Sequence, residues 1–239
     1  ITQSSMNVAT KLRANGTPIT GTVTYTTSGI TNSGGPSTSV TLNTTTTAGS
    51  FSLLANPYLC AIDWSLVGRT NLTSSYTTMD PTLGANGAYV TCNTAGVNSN
   101  PSSNVNQYIQ SGQAFFVEAN GGGSPQLVIS ETNKNTSNKT AIFRSSNVIN
   151  KLGFGLSKSI SGQGIRNVDG CTVVFDADGS NGIDTSDASK LTNGNENISL
   201  LTESLNLAIE TKAIPKNADT IHLKMWQMVN NTSYTLTVF

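Results

Sequence analysis

The chain has 239 residues, with 13 Lys and Arg against 13 Asp and Glu, so its formal net charge is zero. Charged residues make up 11% of the sequence, less than half of their usual share in a soluble domain. A neutral chain with few Lys and Arg lacks a basic surface for phosphates, so we expect no nucleic-acid partner. Its longest apolar runs cover only a few residues, which predicts no membrane span. Abundant Thr, Ser, Asn and Gly favour an extracellular β-protein over the alternative, a cytosolic β-protein of unusual composition.

Short alternating or apolar segments predict β-strands along the first part of the chain. The motif that begins at Phe51 is one of them, and it ends in a turn at Asn56 and Pro57 because proline donates no N–H to a ladder. Gly, Pro and Asn between the segments favour turns. The other predicted strands are Gly21–Thr27, Ser39–Leu42, Ala88–Cys92, Gln113–Glu118 and Gln126–Ser130.

A polar segment, Thr132–Thr140, predicts a linker or an exposed crossing, with a domain boundary near residues 132–148. The strand pattern begins again with Ala141–Phe143, and one short helix is predicted at Asp184–Leu191. The sequence therefore predicts an all-β fold with at most one short helix. It would form two consecutive antiparallel β-sandwich domains, Ig-like or jelly-roll-like, over residues 1–140 and 141–239. The later predicted strands are Lys151–Ser157, Cys171–Asp176, Ile198–Leu201, Asn206–Glu210, Thr220–Met225 and Tyr234–Phe239.

Two groups of motifs carry a resemblance to a known class of proteins. The first group consists of Phe51–Tyr58, Ala61–Trp64, Arg69–Asn71 and Gly112–Asn120. It resembles the NPY, AIDW, TN and GQAFFV.AN pattern of large adhesin-like cell-surface proteins of Bacteroidetes-type bacteria, which leave the cell by the type IX secretion route. The second group is similar to the module that follows in the same proteins, and it consists of Val174–Asp178, Asp184, Asp187–Leu191, Asn197–Ser199 and Tyr234–Val238.

The resemblance implies an extracellular, non-catalytic module that acts in adhesion, in display or in a filament or layer. Its partners would be cell-surface or matrix components. The chain departs from the pattern at Phe51, where Trp is usual, and at Cys60, where Ser is common. It also lacks the separate C-terminal sorting domain of these proteins, so we expect a fragment or a matured product.

An acidic segment has the spacing of a calcium-binding loop. Counted from the first aspartate, oxygen donors fall at positions 1, 3, 5, 9 and 12, close to the EF-hand pattern that holds Ca²⁺ through hard oxygen ligands. Asn181 stands where that pattern has glycine, and the last position is Asp instead of Glu. The alternative is an acidic turn that caps the following helix and binds Lys190 or solvent. The candidate ligands of a structural Ca²⁺ are Asp176, Asp178, Ser180, Asp184 and Asp187.

Three aromatic residues, Trp64, Tyr58 and Tyr89, are candidates for a platform on which sugars stack. The alternative places Trp64 in the core or at the end of the sandwich. A glycan platform would make the chain a carbohydrate-binding accessory region of a secreted enzyme.

Other features leave alternatives open. Cys60 and Cys92 could form a disulfide, or all three cysteines, with Cys171, could be buried thiols. The only histidine, His222, lies in a predicted strand, and no nucleophile motif accompanies it, so we expect no enzyme activity. Self-association is a further hypothesis, because the Thr-rich strands Gly21–Thr27 and Ser39–Leu42 carry few charges that would protect a sheet edge.

Overall fold

A computed structural model describes residues 17–33, 41–43, 49–135, 150–216, 219–230 and 232–239. Within these ranges the chain is all-β, with two short 3₁₀ helices at Trp64–Leu66 and Glu131–Asn133 and no α-helix, which confirms the predicted fold class. Most of the predicted boundary at 132–148, and all of Ala141–Phe143, lie outside the described residues. The described part of the chain contains no helix with the length and apolar character needed to cross a bilayer.

The N-terminal half, residues 17–135, contains three antiparallel sheets. Their strand orders are β2-β1-β10-β5, β3-β9-β6-β7 and β11-β4-β8. The strands are β1 (Val23–Thr26), β2 (Gly29–Asn32), β3 (Ser50–Ala55), β4 (Ala61–Asp63), β5 (Gly68–Thr70), β6 (Leu72–Asp80), β7 (Ala88–Cys92), β8 (Tyr108–Ile109), β9 (Ala114–Ala119), β10 (Gln126–Ile129) and β11 (Lys134–Asn135).

These sheets enclose one core, and the alternation of side chains along the strands explains why. In β1, Val23 and Tyr25 point inward with two threonines between and after them, and β9 buries Phe115 and Val117 in the same way. Trp64 lies at the centre, with its ring 5.4 Å from Tyr76 and 5.9 Å from Phe115 in edge-to-face contacts. Five aromatic side chains thus pack among the Val, Leu and Ile side chains of this core.

The C-terminal half, residues 150–239, is built on one seven-stranded sheet. Its main path runs β17-β15-β16-β13-β12-β18, and β14 pairs with β16. β13 and β16 are parallel, and the other pairs are antiparallel. The strands are β12 (Asn150–Ile160), β13 (Gly164–Asp176), β14 (Ala188–Ser189), β15 (Asn197–Thr202), β16 (Leu205–Ala213), β17 (Leu223–Trp226) and β18 (Tyr234–Val238).

This sheet folds over itself, so that β15 packs against β13 and encloses a second core. The core is mostly aliphatic, and its fully or nearly fully buried members are Phe154, Leu156, Val168, Cys171, Val173, Ile198, Leu200 and Leu207.

The predicted helix at Asp184–Leu191 is wrong. The segment makes a turn, in which Asp187 N–H donates to the Asp184 carbonyl at 3.3 Å, and then forms β14. The Asp187 carboxylate explains the difference, because it accepts the N–H groups of Asp184 at 2.9 Å and Thr211 at 2.8 Å. These bonds tie the turn to β16 and leave no cap for a helix.

Two further features of the fold are the state of the three thiols and the contact between the two halves. Cys60, Cys92 and Cys171 are all free, so the disulfide alternative does not apply. The two halves meet along a small buried cluster in which Val97 of the first half packs on Val174, Ala188 and Ile209 of the second.

Polar groups complete the junction between the halves. The Thr172 hydroxyl donates to the Asn98 carbonyl at 3.0 Å, and Gly84 N–H donates to the Asn167 carbonyl at 2.8 Å. Glu118 of β9 reaches across and accepts Ser189 N–H at 3.2 Å, while burial raises the pKa of its carboxyl group. Each half thus has its own core, and hydrogen bonds and a few apolar contacts join them.

Candidate functional site

The acidic segment forms a series of small turns on the surface. Asp176 Oδ1 accepts Asp178 N–H at 2.9 Å, Ser180 Oγ accepts Gly182 N–H at 3.0 Å, and Asp184 Oδ1 accepts Ser186 N–H at 2.7 Å. These are side chain to backbone bonds two residues apart, the usual means by which Asp and Ser shape turns. Four of the five predicted ligands, Asp187 being the exception, are exposed.

Asp187 differs from the other four because it is buried. Loss of solvation raises the pKa of its carboxyl group to about 6, although the two backbone N–H donors oppose the change. Both of its oxygens are occupied by these donors, so its role in the structure is to hold the turn on β16.

Among the described residues, no group of three or more His, Cys, Asp or Glu is arranged to hold a metal ion. The five predicted ligands each make local hydrogen bonds or lie exposed. The other possibility raised by the sequence, that these carboxylates bind Lys190, is wrong. Lys190 pairs instead with Asp169. The calcium site stays a prediction.

The aromatic residues proposed as a sugar platform lie mostly in the interior. Trp64 is 0% exposed, and its Nε1 donates to the Ser74 carbonyl at 2.7 Å. Tyr58 is 1% exposed, and its hydroxyl donates to the Gly21 carbonyl at 2.6 Å. Stacking on a sugar needs an exposed ring face, and neither ring offers one. Tyr89 is half-buried and meets Phe116 edge to face at 5.6 Å, apart from the other two.

A groove with a different aromatic residue lies on the N-terminal half. It has a volume of about 210 Å³, and its lining includes the half-buried ring of Tyr108 and the exposed Met79. Amide side chains provide both donors and acceptors there, which suits the hydroxyl groups of a sugar. The lining amides are Asn104, Asn106, Gln110 and Gln113.

A second crevice of about 190 Å³ opens where the two halves meet. The turn at Gly84–Gly87 forms one wall, and Asn193, Asn195 and Glu196 lie opposite. Asn193 Oδ1 accepts Tyr89 N–H at 2.6 Å, and its Nδ2 is buried with no hydrogen-bond partner among the described residues. The crevice thus lies at the junction of the halves, and the amide side chains of Asn193 and Asn195 line it.

Exposed apolar side chains concentrate on the C-terminal half. Of the twelve large apolar residues that are exposed in the described chain, eight lie there. Leu236 and Val238 of β18 stand opposite Leu156 and Phe154 of β12 in the ladder. Directly paired residues share one face of a sheet, so the face that forms the core continues onto β18, where it is uncovered.

The same is true of β17 at the other edge of the sheet. Met225 stands opposite Ile198, which is fully buried, yet Met225 is exposed. The described residues place no strand on the outer side of β17 or β18. Both ends of this sheet therefore present free backbone edges beside apolar side chains.

Of the two edges proposed from the sequence for self-association, Gly21–Thr27 is wrong, and half of Ser39–Leu42 lies outside the described residues. The segment Gly21–Thr27 contains β1, which lies between β2 and β10 and has no free edge. In Ser39–Leu42, the described residues form no strand, and Leu42 is fully buried with its N–H donating to the Thr26 carbonyl at 2.9 Å. Sequence patterns show which segments form strands, but the order of strands in a sheet decides which ones have open edges.

No protein-family model, curated protein or solved structure matches this chain. Three candidate surfaces stand out by their chemistry: the open edge at β18, the amide-lined groove at Tyr108, and the acidic turns.

Proposed function

We propose that this chain is a non-catalytic, extracellular module of a bacterial surface protein, and that it acts in structural assembly or adhesion through the open edge of β18. The observation that carries the proposal is the continuation of the C-terminal core face onto this edge strand. Leu236 and Val238 are 42% and 56% exposed there, although their ladder partners are buried. Such a surface is typical of an interaction site.

The partner that best fits the edge is a second copy of the chain. β18 has the sequence Tyr-Thr-Leu-Thr-Val and contains no charged residue or proline, the groups by which natural edges usually prevent pairing. The formal net charge of zero means that two copies do not repel each other through their overall charge. Backbone hydrogen bonds and the apolar residues of β18 would then join the copies by strand addition.

The proposal is tested by the double variant Leu236→Lys and Val238→Lys, compared with the wild type by sedimentation velocity over a range of concentrations. We expect the wild type to form oligomers as the concentration rises and the variant to stay monomeric. The matched control is Ile165→Lys, which also adds charge at an exposed apolar position, next to the turn between β12 and β13 and away from the edge. It should assemble like the wild type. A wild type that is monomeric at every concentration contradicts the proposal.

A second candidate function is glycan binding, as in an accessory region of a secreted enzyme. The observation that favours it is the groove beside Tyr108, where four amide side chains accompany one half-buried ring. Ring stacking and amide hydrogen bonds are the two contacts that sugars need.

The glycan hypothesis is tested on glycan arrays and insoluble polysaccharides with three proteins. The wild type should bind, and Tyr108→Ala should lose binding. Tyr89→Ala removes an aromatic residue of similar exposure outside the groove, so it should bind as the wild type does. Loss of binding in Tyr89→Ala alone would instead place the glycan at Tyr89, outside the groove.

We also propose that the acidic loop binds Ca²⁺ as a structural ion. If the loop holds it, the melting temperature should rise with added calcium and fall with a chelator, because an ion that binds only the folded state stabilises that state. Asp178→Ala should abolish this shift and leave the metal-free melting temperature nearly unchanged. A melting temperature that changes with neither calcium nor chelator would contradict a calcium site in this loop.

A further inference from the structure

A single Lys and a single Asp are enclosed together in the C-terminal half. Lys190 Nζ lies 2.5 Å from Asp169 Oδ1, and each side chain is 1% exposed. The other ion pairs of the described residues all include a partner that is at least 18% exposed. Burial removes the hydration of both charges, so this pair is costly to keep in ionic form.

The surroundings of the pair supply few hydrogen bonds for two charges. An ammonium group has three N–H donors, but Lys190 Nζ meets only two acceptors among the described residues, Asp169 Oδ1 and, at 3.4 Å, the Gly170 carbonyl. The other carboxylate oxygen, Asp169 Oδ2, accepts one bond, from Ile198 N–H at 2.7 Å.

The same surroundings match an amide. An amide between the two side chains would have one N–H, for which the Gly170 carbonyl is present, and one carbonyl oxygen, for which Ile198 N–H is present. Formation of the amide would remove both buried charges. We propose that Lys190 and Asp169 form an intramolecular isopeptide bond, and this inference goes beyond the proposed function.

The reaction balances without any added reagent. The Lys190 ammonium gives one proton to the Asp169 carboxylate, which produces a neutral amine and a carboxylic acid. Nζ adds to Cγ, and Oδ2 takes up the negative charge beside Ile198 N–H, a donor placed to stabilise it. The Cγ–Oδ1 bond then breaks, Oδ1 leaves as water with the carboxyl proton and a proton from the amine, and the carbonyl forms again.

The bond would join β13 to the residue that follows β14. It would close the chain between positions 169 and 190, which includes the acidic turns, into a covalent loop. The three cysteines of the chain are free, so the described structure holds no disulfide that constrains these segments. A cross-link of this kind restricts the unfolded chain in the same manner as a disulfide does.

The test is the intact mass of the purified protein under denaturing conditions. We expect a mass lower than that of the sequence by one water molecule, and a protease digest that contains a branched peptide joining the segments around Asp169 and Lys190. The digest uses the wild-type protein, so the test does not depend on the folding of a variant. A wild-type protein of full sequence mass overturns the proposal.

Two variants identify the source of a mass deficit. Lys190→Met removes the amine and should restore the full mass. Lys158→Met removes the lysine of the pair with Glu196, which is also largely buried, and should keep the deficit. Asp169 and Asp178 each precede a glycine, where cyclisation onto the backbone also releases water. A deficit that persists in Lys190→Met would indicate such a cyclic imide and would overturn the isopeptide bond.

Discussion

The two halves of the molecule fill their interiors in different ways. In the N-terminal half, buried aromatic rings are joined to backbone carbonyls through their polar ends, and burial raises the pKa of Tyr76 well above its ordinary value, so its hydroxyl group stays neutral. In the C-terminal half, one aromatic ring, that of Phe154, is buried in the core, and this half also buries five acidic or basic side chains. These are Asp169, Asp187, Lys190, Glu196 and Glu210.

The difference affects both stability and function. The neutral aromatic core responds little to pH, and among the described residues the N-terminal half buries two carboxyl groups, Asp80 and Glu118, against four in the C-terminal half. The C-terminal half should therefore be the more sensitive to proton concentration. The core face of the C-terminal half is also open at β17 and β18, while the core of the N-terminal half is enclosed between three sheets. The open core face makes the C-terminal half the part through which we propose that the molecule interacts.

The largest effect should come from truncating the aromatic centre. Trp64→Ala removes a ring that is fully buried against Tyr76 and Phe115, and we expect a loss of about 3–5 kcal/mol in the free energy of unfolding, measured with denaturant. The control is Trp226→Ala on the edge strand β17, where the ring is half-buried, and the loss should be below about 1 kcal/mol. Equal losses in the two variants would contradict the contrast between the halves.

A smaller effect should follow from a methyl group at the junction. A Cβ on residue 170 would lie 2.9 Å from the Phe154 carbonyl oxygen and 3.0 Å from Asn100 Cα, both of them backbone atoms. Gly170→Ala should therefore cost about 2–3 kcal/mol. The control, Gly194→Ala, adds its methyl group where no heavy atom of the described residues, apart from its chain neighbours, lies within 4 Å, so it should have little effect. Equal melting temperatures for the two variants would show that the halves are not closely packed here.

The buried carboxyl of Asp187 should give the C-terminal half a pH dependence of its own. The pKa of this group is raised from 3.8 to about 6, so between these values the folded protein keeps a proton that the unfolded chain has lost. Stability from this group is therefore present at low pH and falls as the pH rises through that window. Relative to Asp187→Asn, the wild type should lose about 2 kcal/mol of unfolding free energy between pH 4 and pH 7. A gain in the unfolding free energy of the wild type over this range would contradict a raised pKa of Asp187.

Much of the fold could be predicted from the sequence, because strand formation depends on local patterns. Ala88–Cys92 was predicted with its observed bounds, and Gln113–Glu118 is shifted by one residue from β9. The long strand β6 was missed, since its run of Ser and Thr resembles a polar loop, although most of its residues are buried. Burial of hydroxyl groups in a ladder depends on partners elsewhere in the chain, such as Thr91, which shares a hydrogen bond with Thr77 at 2.8 Å.

The candidate sites were harder to predict, because they depend on contacts between distant segments. The motif around Trp64 forms β4 and the 3₁₀ helix Trp64–Leu66. The Trp64 ring, however, is buried in the core and is not on the surface. The pairing of Lys190 with Asp169 joins β13 to the residue that follows β14, and no spacing rule indicates it. A signal was present for β18, since an uncharged alternating strand without proline predicts an unprotected edge once its position in the sheet is known.

The central claim, that β18 is the surface through which the molecule interacts, is tested most directly by hydrogen exchange at low and high protein concentration. We expect the amides of β18 to exchange more slowly as the concentration rises. The amides of β2 and β5, the edges of an N-terminal sheet, should exchange at unchanged rates. Slower exchange in β2 or β5 with no change in β18, or exchange that does not depend on concentration in any strand, would contradict the claim.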